Sequence, residues 1–281
     1  MKVAVLGATG FVGGALADAL DLASQVELIR LQRPYFDLTQ PNTWKLPGGV
    51  DTVVVAAGIS SGPAEDLWQT NVMGPARFAE YCRKVGVGRL ILLSSGAVYG
   101  NTLHETTPLT KTNPTSDYGK SKLEGEIAVR AAWGDEKLAI LRLYFPYGPG
   151  QKTPRLIPRI IERIENQKAV VCRSDGGPRI TLTHISDLKD ILVNDFILRE
   201  RSGIYNLASN SSLSIQSIVE YLVLALQGEA RLDHSGEATD VVSEPYDYCR
   251  DWRSFEDTVM QWLNPLGVGN GLLKVCARVQ T

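Results

Sequence analysis

The chain lacks any apolar run long enough to cross a bilayer, and it has no internal repeat or low-complexity tract. Cysteine is scarce. The four residues Cys82, Cys172, Cys249 and Cys276 form no CxxC pair and lack the density of a disulfide scaffold. Free thiols in a reducing compartment are the expectation. The three histidines, His104, His184 and His234, stand too far apart for a metal-ligand spacing, so no metal centre is expected. An excess of one charge is also missing. Lys and Arg number 29 against 31 Asp and Glu, a net charge of -2, which gives no support to nucleic-acid or membrane-surface binding. The opening MKVAVLGATG runs directly into a strand and lacks the apolar segment and cleavage site of a signal peptide. A cytoplasmic enzyme follows as the expectation. What is present, 44% apolar and 21% charged residues in 281, is the make-up of a globular chain with one large or two small domains.

Short apolar runs alternate with helical patterns through the first half. Val3–Leu6 is a strand ended by glycine, and Val12, Leu16, Leu20 and Ala23 then recur at helical spacing. Strands at about Val26–Leu31 and Thr52–Ala56 follow, then a helix from about Asn71 to Val85 and the strand Leu90–Leu93. A helix carrying Tyr118, Lys122, Leu123 and Ile127 precedes the strand Leu138–Leu141. Strands apolar on both faces and separated by helices predict a doubly wound parallel sheet, the Rossmann arrangement, over residues 1–150. Its sheet is expected to be completed by segments near 180–208. Residues 151–281 read mainly as a smaller substrate-binding lobe. It holds an amphipathic helix at Leu156–Ile164, a second capped at Ser186-Asp187 and a third capped at Ser214. The polar stretch Gly228–Glu244 has no readable pattern.

Gly7-Ala8-Thr9-Gly10-Phe11-Val12-Gly13 spaces three glycines as GxxGxxG between a strand and a helix. Gly7 permits the tight turn, Gly10 lets backbone N–H groups approach a pyrophosphate, and Gly13 lets helix and strand pack closely. The helix N-terminus adds the positive end of its dipole. A dinucleotide is therefore the expected cofactor. Ala56-Ala57-Gly58 ends a strand with side chains small enough for a cofactor to lie on the backbone. Asp37-Leu38 offers an adenine a carboxylate and an apolar wall, or else forms an ordinary Asx-turn before Thr39. The second strand ends Leu31-Gln32-Arg33. No carboxylate is there to repel a 2′-phosphate and Arg33 is placed to bind one, which favours NADP over NAD.

Tyr118 and Lys122 lie four residues apart, on one helix face. A phenol with pKa ~10 is a poor proton carrier at neutral pH, and a neighbouring ammonium lowers that value. Ser95, at the C-terminal end of a strand, is placed to hold a reacting oxygen beside the phenol. Ser95, Tyr118 and Lys122 are thus the candidate catalytic residues for hydride and proton transfer.

Together these stretches resemble the extended short-chain dehydrogenase/reductases, the NAD-dependent epimerase/dehydratase family. The matching segments are GATGFVG at Gly7, NVMG at Asn71, SSGAVYG at Ser94, ETTPL at Glu105, YGKSKLEGE at Tyr118 and LRLYFPYGPGQ at Leu141. HISDL at His184 and YNLAS at Tyr205 extend the likeness to about residue 225, and LNPLG and NGLL near the C-terminus add only faint similarity. The resemblance implies catalysis on nucleotide-linked sugars, a Ser95–Tyr118–Lys122 triad, cofactor contacts at Asn71, Phe145 and Pro146, and a homodimer. Ser95, Tyr118 and Phe145 would meet the substrate. Arg179 is a candidate for its diphosphate, one residue out of register with the family's arginine. Many members carry Asn where this chain has Phe145, which leaves room for a non-sugar carbonyl substrate. A dinucleotide-sensing module without turnover is a third reading, and such modules typically lose the tyrosine–lysine pair. The Asp-Glu pair that dehydrating members carry after the catalytic Ser or Thr is here Gly96-Ala97.

Overall fold

The computed structural model describes residues 1–101, 106–171, 179–209, 212–226, 232–233, 254–255 and 258–259. Glu105, the LNPLG and NGLL segments, and Gly228–Glu244 apart from residues 232–233 lie outside them.

Strand β1 (Lys2–Leu6) leads into helix α1 (Phe11–Asp21), followed by β2 (Glu27–Leu31) and β3 (Thr52–Val55). Helix α2 (Ala64–Trp68) continues through a π-helical turn (Gln69–Met73) into α3 (Gly74–Lys84), and β4 (Arg89–Ser95) follows. Next come α4 (Asp117–Trp133), β5 (Leu138–Leu143), β6 (Pro146–Tyr147), α5 (Leu156–Glu165), β7 (Val170–Val171), β8 (Arg179–Thr181) and β9 (Thr183–His184). Helix α6 (Ile185–Ile191) runs on as a π-helix (Leu192–Leu198), before β10 (Gly203–Leu207), β11 (Ser212–Ser214), α7 (Ile215–Leu226) and β12 (Leu232–Asp233).

Two helix starts differ from the sequence reading. The helix expected from Asn71 begins at Ala64, after Pro63 and with Glu65 and Asp66 in its first turn, where the helix dipole favours carboxylates. The π-turn adds a residue to one helical repeat, so the 3.6-residue pattern is legible only beyond it. Helix α6 is capped by His184, whose Nδ1 accepts from the Ser186 backbone N–H at 3.3 Å, not by Ser186-Asp187. Ser214 does cap α7, its hydroxyl accepting from the Ser217 N–H at 3.0 Å.

Six strands form one parallel sheet in the order β2-β1-β3-β4-β5-β10. Its interior strands are buried on both faces, which requires a helical layer on each side. On one face Val3, Val5, Val54 and Ile91 pack on α1 and α6 through Leu16, Leu20 and Ile191. On the other face Ala4, Leu6, Leu90 and Leu92 pack on α3 and α4 through Phe78, Cys82 and Val129. Each fully buried Val, Leu, Ile or Phe among them contributes about 1.5–3 kcal/mol of hydrophobic stabilisation. A separate core of Tyr147, Ile157, Ile160, Ile180, Ile218 and Leu222 holds α5 and α7 together. Strand order reverses between β1 and β3, and ligands of open α/β sheets bind beyond the strand ends at that point. Among the described residues, no helix is long and apolar enough to cross a membrane.

Candidate active site

The glycine turn is held by contacts that no side chain could share. Gly7 has φ +89°, and a Cβ on Gly13 would stand 2.3 Å from the Gly7 carbonyl oxygen. The Gly10 N–H donates to that same oxygen at 2.9 Å. Gly10 then caps α1 without a side-chain bond, so the first N–H groups of the helix face open space. Gly10, Phe11, Val12 and Gly13 form one wall of a cleft of about 630 Å³, with Ala56, Ala57 and Gly58 beside them. An uncapped helix end, glycines and short side chains are what a dinucleotide's diphosphate and flat rings need, and these residues fit such a cofactor.

The facing wall brings the three candidate catalytic residues together. Ser95 closes β4, and its hydroxyl accepts from the Ala97 N–H at 3.2 Å. Helix α4 is capped by Ser116, which accepts from the Gly119 N–H at 3.1 Å, and this start presents Tyr118 and Lys122 to the cleft. Burial raises the Tyr118 phenol above its ordinary value, while the Ser95 hydroxyl and the positive charge of Arg155 pull it back. Lys122 is buried and donates to the Leu93 carbonyl at 2.7 Å. Burial lowers its pKa to about 8, opposed by the charge of Glu126 one turn further along the helix.

That lysine value sets two opposite pH trends. Turnover that depends on the Lys122 ammonium should decline as pH rises through about 8. The folded value lies below the ordinary 10.5, so between these limits the unfolded chain binds more protons. This group's contribution to stability therefore grows with pH over that window. A pH–rate profile read beside urea midpoints checks both trends, and Lys122→Met should abolish the stability trend.

Behind the cleft lies a buried polar network. Glu126 accepts from Arg142 Nε at 3.0 Å and Nη2 at 2.7 Å, and from the Ser94 hydroxyl at 2.5 Å. Arg142 also donates to the Tyr99 hydroxyl at 2.6 Å, and Tyr99 donates to Asn206 Oδ1 at 2.8 Å. The network ties α4, β4, β5 and β10 together directly beneath Ser95 and Lys122.

Several candidate contacts do not reach the cleft wall. The Asp37 carboxylate accepts from the N–H and the hydroxyl of Thr39, both at 2.8 Å, which is the Asx-turn. It also pairs with Arg33 at 2.8 Å, and Arg33 is otherwise exposed. Leu38 is packed in the core against Gly74. Thr9 is exposed at the glycine turn and Gln32 is half-buried after β2, and neither lines the cleft. Asn71 is 2% exposed, and its amide is taken by Ile59 on one side and the Ser121 hydroxyl, at 3.0 Å, on the other. It stands behind the site, where a Cβ on Gly125 would be 2.2 Å from its carbonyl oxygen, and it locks α4 to the loop after β3. Arg179 donates to the Ser212 hydroxyl and carbonyl across β8 and β11 and is not part of the cleft lining. Phe145 and Pro146 do line it. Phe145 adopts φ 31°, a strained conformation for a bulky residue. The sequence reading missed Tyr144, Gln151 and Arg155, which also line the cleft. A signal was present for Tyr144, which directly follows the end of β5 on the ligand side of the sheet, whereas Gln151 and Arg155 come after β6, outside that sheet.

A doubly wound sheet with a dinucleotide cradle at its switch point, facing a serine, a tyrosine and a lysine, defines a nicotinamide-type α/β protein. Residues 3–208 match the NAD-dependent epimerase/dehydratase family, and the chain belongs to it as an NAD(P)-dependent enzyme of the short-chain dehydrogenase/reductase type. It is 25% identical over 260 residues to an uncharacterised UDP-glucose epimerase, YtcB, of Bacillus subtilis, covering 78% of this chain and 81% of that one. It is also 25% identical over 187 residues to the dTDP-D-glucose 4,6-dehydratase of Mus musculus, covering 64% of this chain but only 52% of the relative. Among solved structures, MoeE5 in complex with UDP-glucuronic acid and NAD superposes with a TM-score of 0.79 at 24% identity, over 94% of this chain and 98% of that one.

Proposed function

We propose that the enzyme is a nucleotide-sugar epimerase or 4-keto reductase in which Ser95, Tyr118 and Lys122 act on one oxygen of the substrate. The carrying observation is the convergence of Tyr118, Ser95 and Lys122 on a cleft whose other wall is the dinucleotide cradle. NAD(P) supplies hydride exchange with a sugar carbon. Ser95 holds the reacting oxygen, Tyr118 gives or takes its proton, and the Lys122 ammonium stabilises the phenolate. The sugar nucleotides bound by MoeE5 and the activity in the name of YtcB support this substrate class. Thermal shifts with UDP-, dTDP-, GDP- and CDP-hexoses, each with NAD or NADP, test it. Phe145 supports a second reading, a non-sugar carbonyl substrate, because it presents an apolar ring to the cleft. Stabilisation by none of the sugar nucleotides would move the assignment there.

The enzyme is not expected to dehydrate its sugar. Elimination needs an acid for the departing hydroxyl and a base for the neighbouring proton, each contributing about 10²–10⁴. The two positions after Ser95 are Gly96 and Ala97. A Cβ at Gly96 would stand 2.3 Å from the ring of Tyr144, which is itself 1% exposed. The tyrosine thus fills the space that an acidic side chain would need. Incubation with NAD or NADP and dTDP-, UDP-, GDP- or CDP-hexoses should yield no product lighter by one water in mass spectrometry.

NADP is the proposed cofactor. Arg33 can release Asp37 to meet a 2′-phosphate because its side chain is 71% exposed. Arg33→Ala should weaken NADP by about tenfold or more and leave NAD nearly unchanged, since a charge-assisted contact is worth about 1.5–3 kcal/mol. Parallel titrations decide it, and equal losses for both dinucleotides would remove Arg33 from cofactor choice.

A further inference from the structure

The charges around the cleft are unevenly distributed. Among the described residues lining it, the charged side chains are Lys122 and Arg155, and no Asp, Glu or His joins them. Lys122 is committed to the cofactor side: its ammonium donates to Leu93, and a Cβ on Gly58 would lie 3.9 Å from it. Of the other ionisable groups packed there, Glu126 on α4 is held by Arg142 on β5 and by Ser94 on β4, all buried behind the wall. From the smaller lobe comes Arg155 alone. It sits at the start of α5, where its carbonyl accepts from the Arg159 N–H at 2.9 Å, and α5 is anchored by Ile157, Ile160 and Ile164. Its guanidinium makes no ion pair or side-chain hydrogen bond among the described residues. It is nevertheless close enough to act electrostatically on the Tyr118 phenol.

We propose that Arg155 is the anion-recognising residue of the substrate half of the cleft, receiving a phosphate or carboxylate oxygen pair of the substrate opposite Tyr118. The inference rests on the nucleotide-sugar reading and deepens it by naming the group that fixes the sugar. A guanidinium keeps its charge at every relevant pH, and its planar fork matches both oxyanions. The neutral polar lining, such as Ser116 and Gln151, offers hydrogen bonds but no counter-charge. An anion brought next to Tyr118 without Arg155 would oppose formation of the phenolate. With Arg155 the two charges offset, and the sugar is oriented by a contact on the face away from the cofactor.

The test uses wild-type, Arg155→Gln and Arg155→Lys proteins saturated with NADP and, in parallel, with NAD, titrated calorimetrically with UDP-glucose, UDP-glucuronic acid and inorganic pyrophosphate. Arg155→Gln should weaken at least one nucleotide sugar by about tenfold or more, the scale of a lost charge-assisted bond. Arg155→Lys should recover part of that loss by restoring the charge without the fork. Weakening of both nucleotide sugars assigns the partner as the diphosphate. Weakening confined to UDP-glucuronic acid assigns the sugar carboxylate. Unchanged affinity for every ligand that the wild type binds overturns the proposal. If the wild type binds pyrophosphate through Arg155 but neither nucleotide sugar, the anion site stands and the sugar-nucleotide reading falls. If it binds none of the three, both fall.

Discussion

Tyr118→Phe should reduce kcat/KM by about 10²–10⁴ or more, the range for loss of a positioned proton carrier, while dinucleotide affinity stays nearly constant. The two effects separate because they arise on opposite walls. The phenol lies on α4 with Lys122 and faces Ser95 at the end of β4, whereas a dinucleotide would rest on the glycine turn and the N-terminus of α1. Phenylalanine keeps the ring, so the cleft keeps its shape and only the proton is lost. Burial raises the Tyr118 value, and the lysine at about 8 cannot replace the phenol as a carrier because its ammonium is bonded to Leu93. Steady-state rates on a substrate from the screen, with cofactor titrations beside them, provide the measurement. A variant that kept most of its turnover would end the proton-relay assignment.

Glu126→Gln should cost about 3–5 kcal/mol of stability, because the Arg142 guanidinium would be left buried beside a neutral amide. The two side chains are 3% and 5% exposed, and the pair is bidentate. Adding Arg142→Gln should restore much of the loss, since a buried pair removed as a whole is far less costly than one broken by half. Urea unfolding of the two single variants and the double variant measures this coupling. A single-variant loss below about 1 kcal/mol, the scale of an exposed pair, would show that the network does not hold β4 and α4 together.

The parallel sheet was legible because its strands are apolar on both faces, and the glycine turn because Gly7 and Gly13 tolerate no side chain. Tyr118, Lys122 and Ser95 could be placed together because each sits at a strand end or on one helix face. The Asp37 and Asn71 assignments ran further than the residue pattern did. A carboxylate or an amide near a cofactor looks the same in sequence whether it faces the ligand or fastens a turn, and the geometry here shows both engaged in internal hydrogen bonds. The start of α2 was hidden by the π-turn that follows it, which shifts the apolar period. Arg155 went unread because its meaning depends on which charges face it across the cleft, and no local pattern records that.

The sheet's return strand bears on how the protein can be divided. Between β5 and its neighbour β10 the chain departs to build β6 through β9 with α5 and α6, and only then comes back. A fragment ending after β5 would expose an unpaired edge along Ala139–Leu143, five residues otherwise bonded to Gly203–Leu207. Bare apolar edges recruit strands from other molecules. Cutting near residue 150 would thus leave an aggregating remnant rather than a free nucleotide-binding module. Recombination between relatives should exchange the stretch between β5 and β10 as an insert, with both flanking strands taken from one parent.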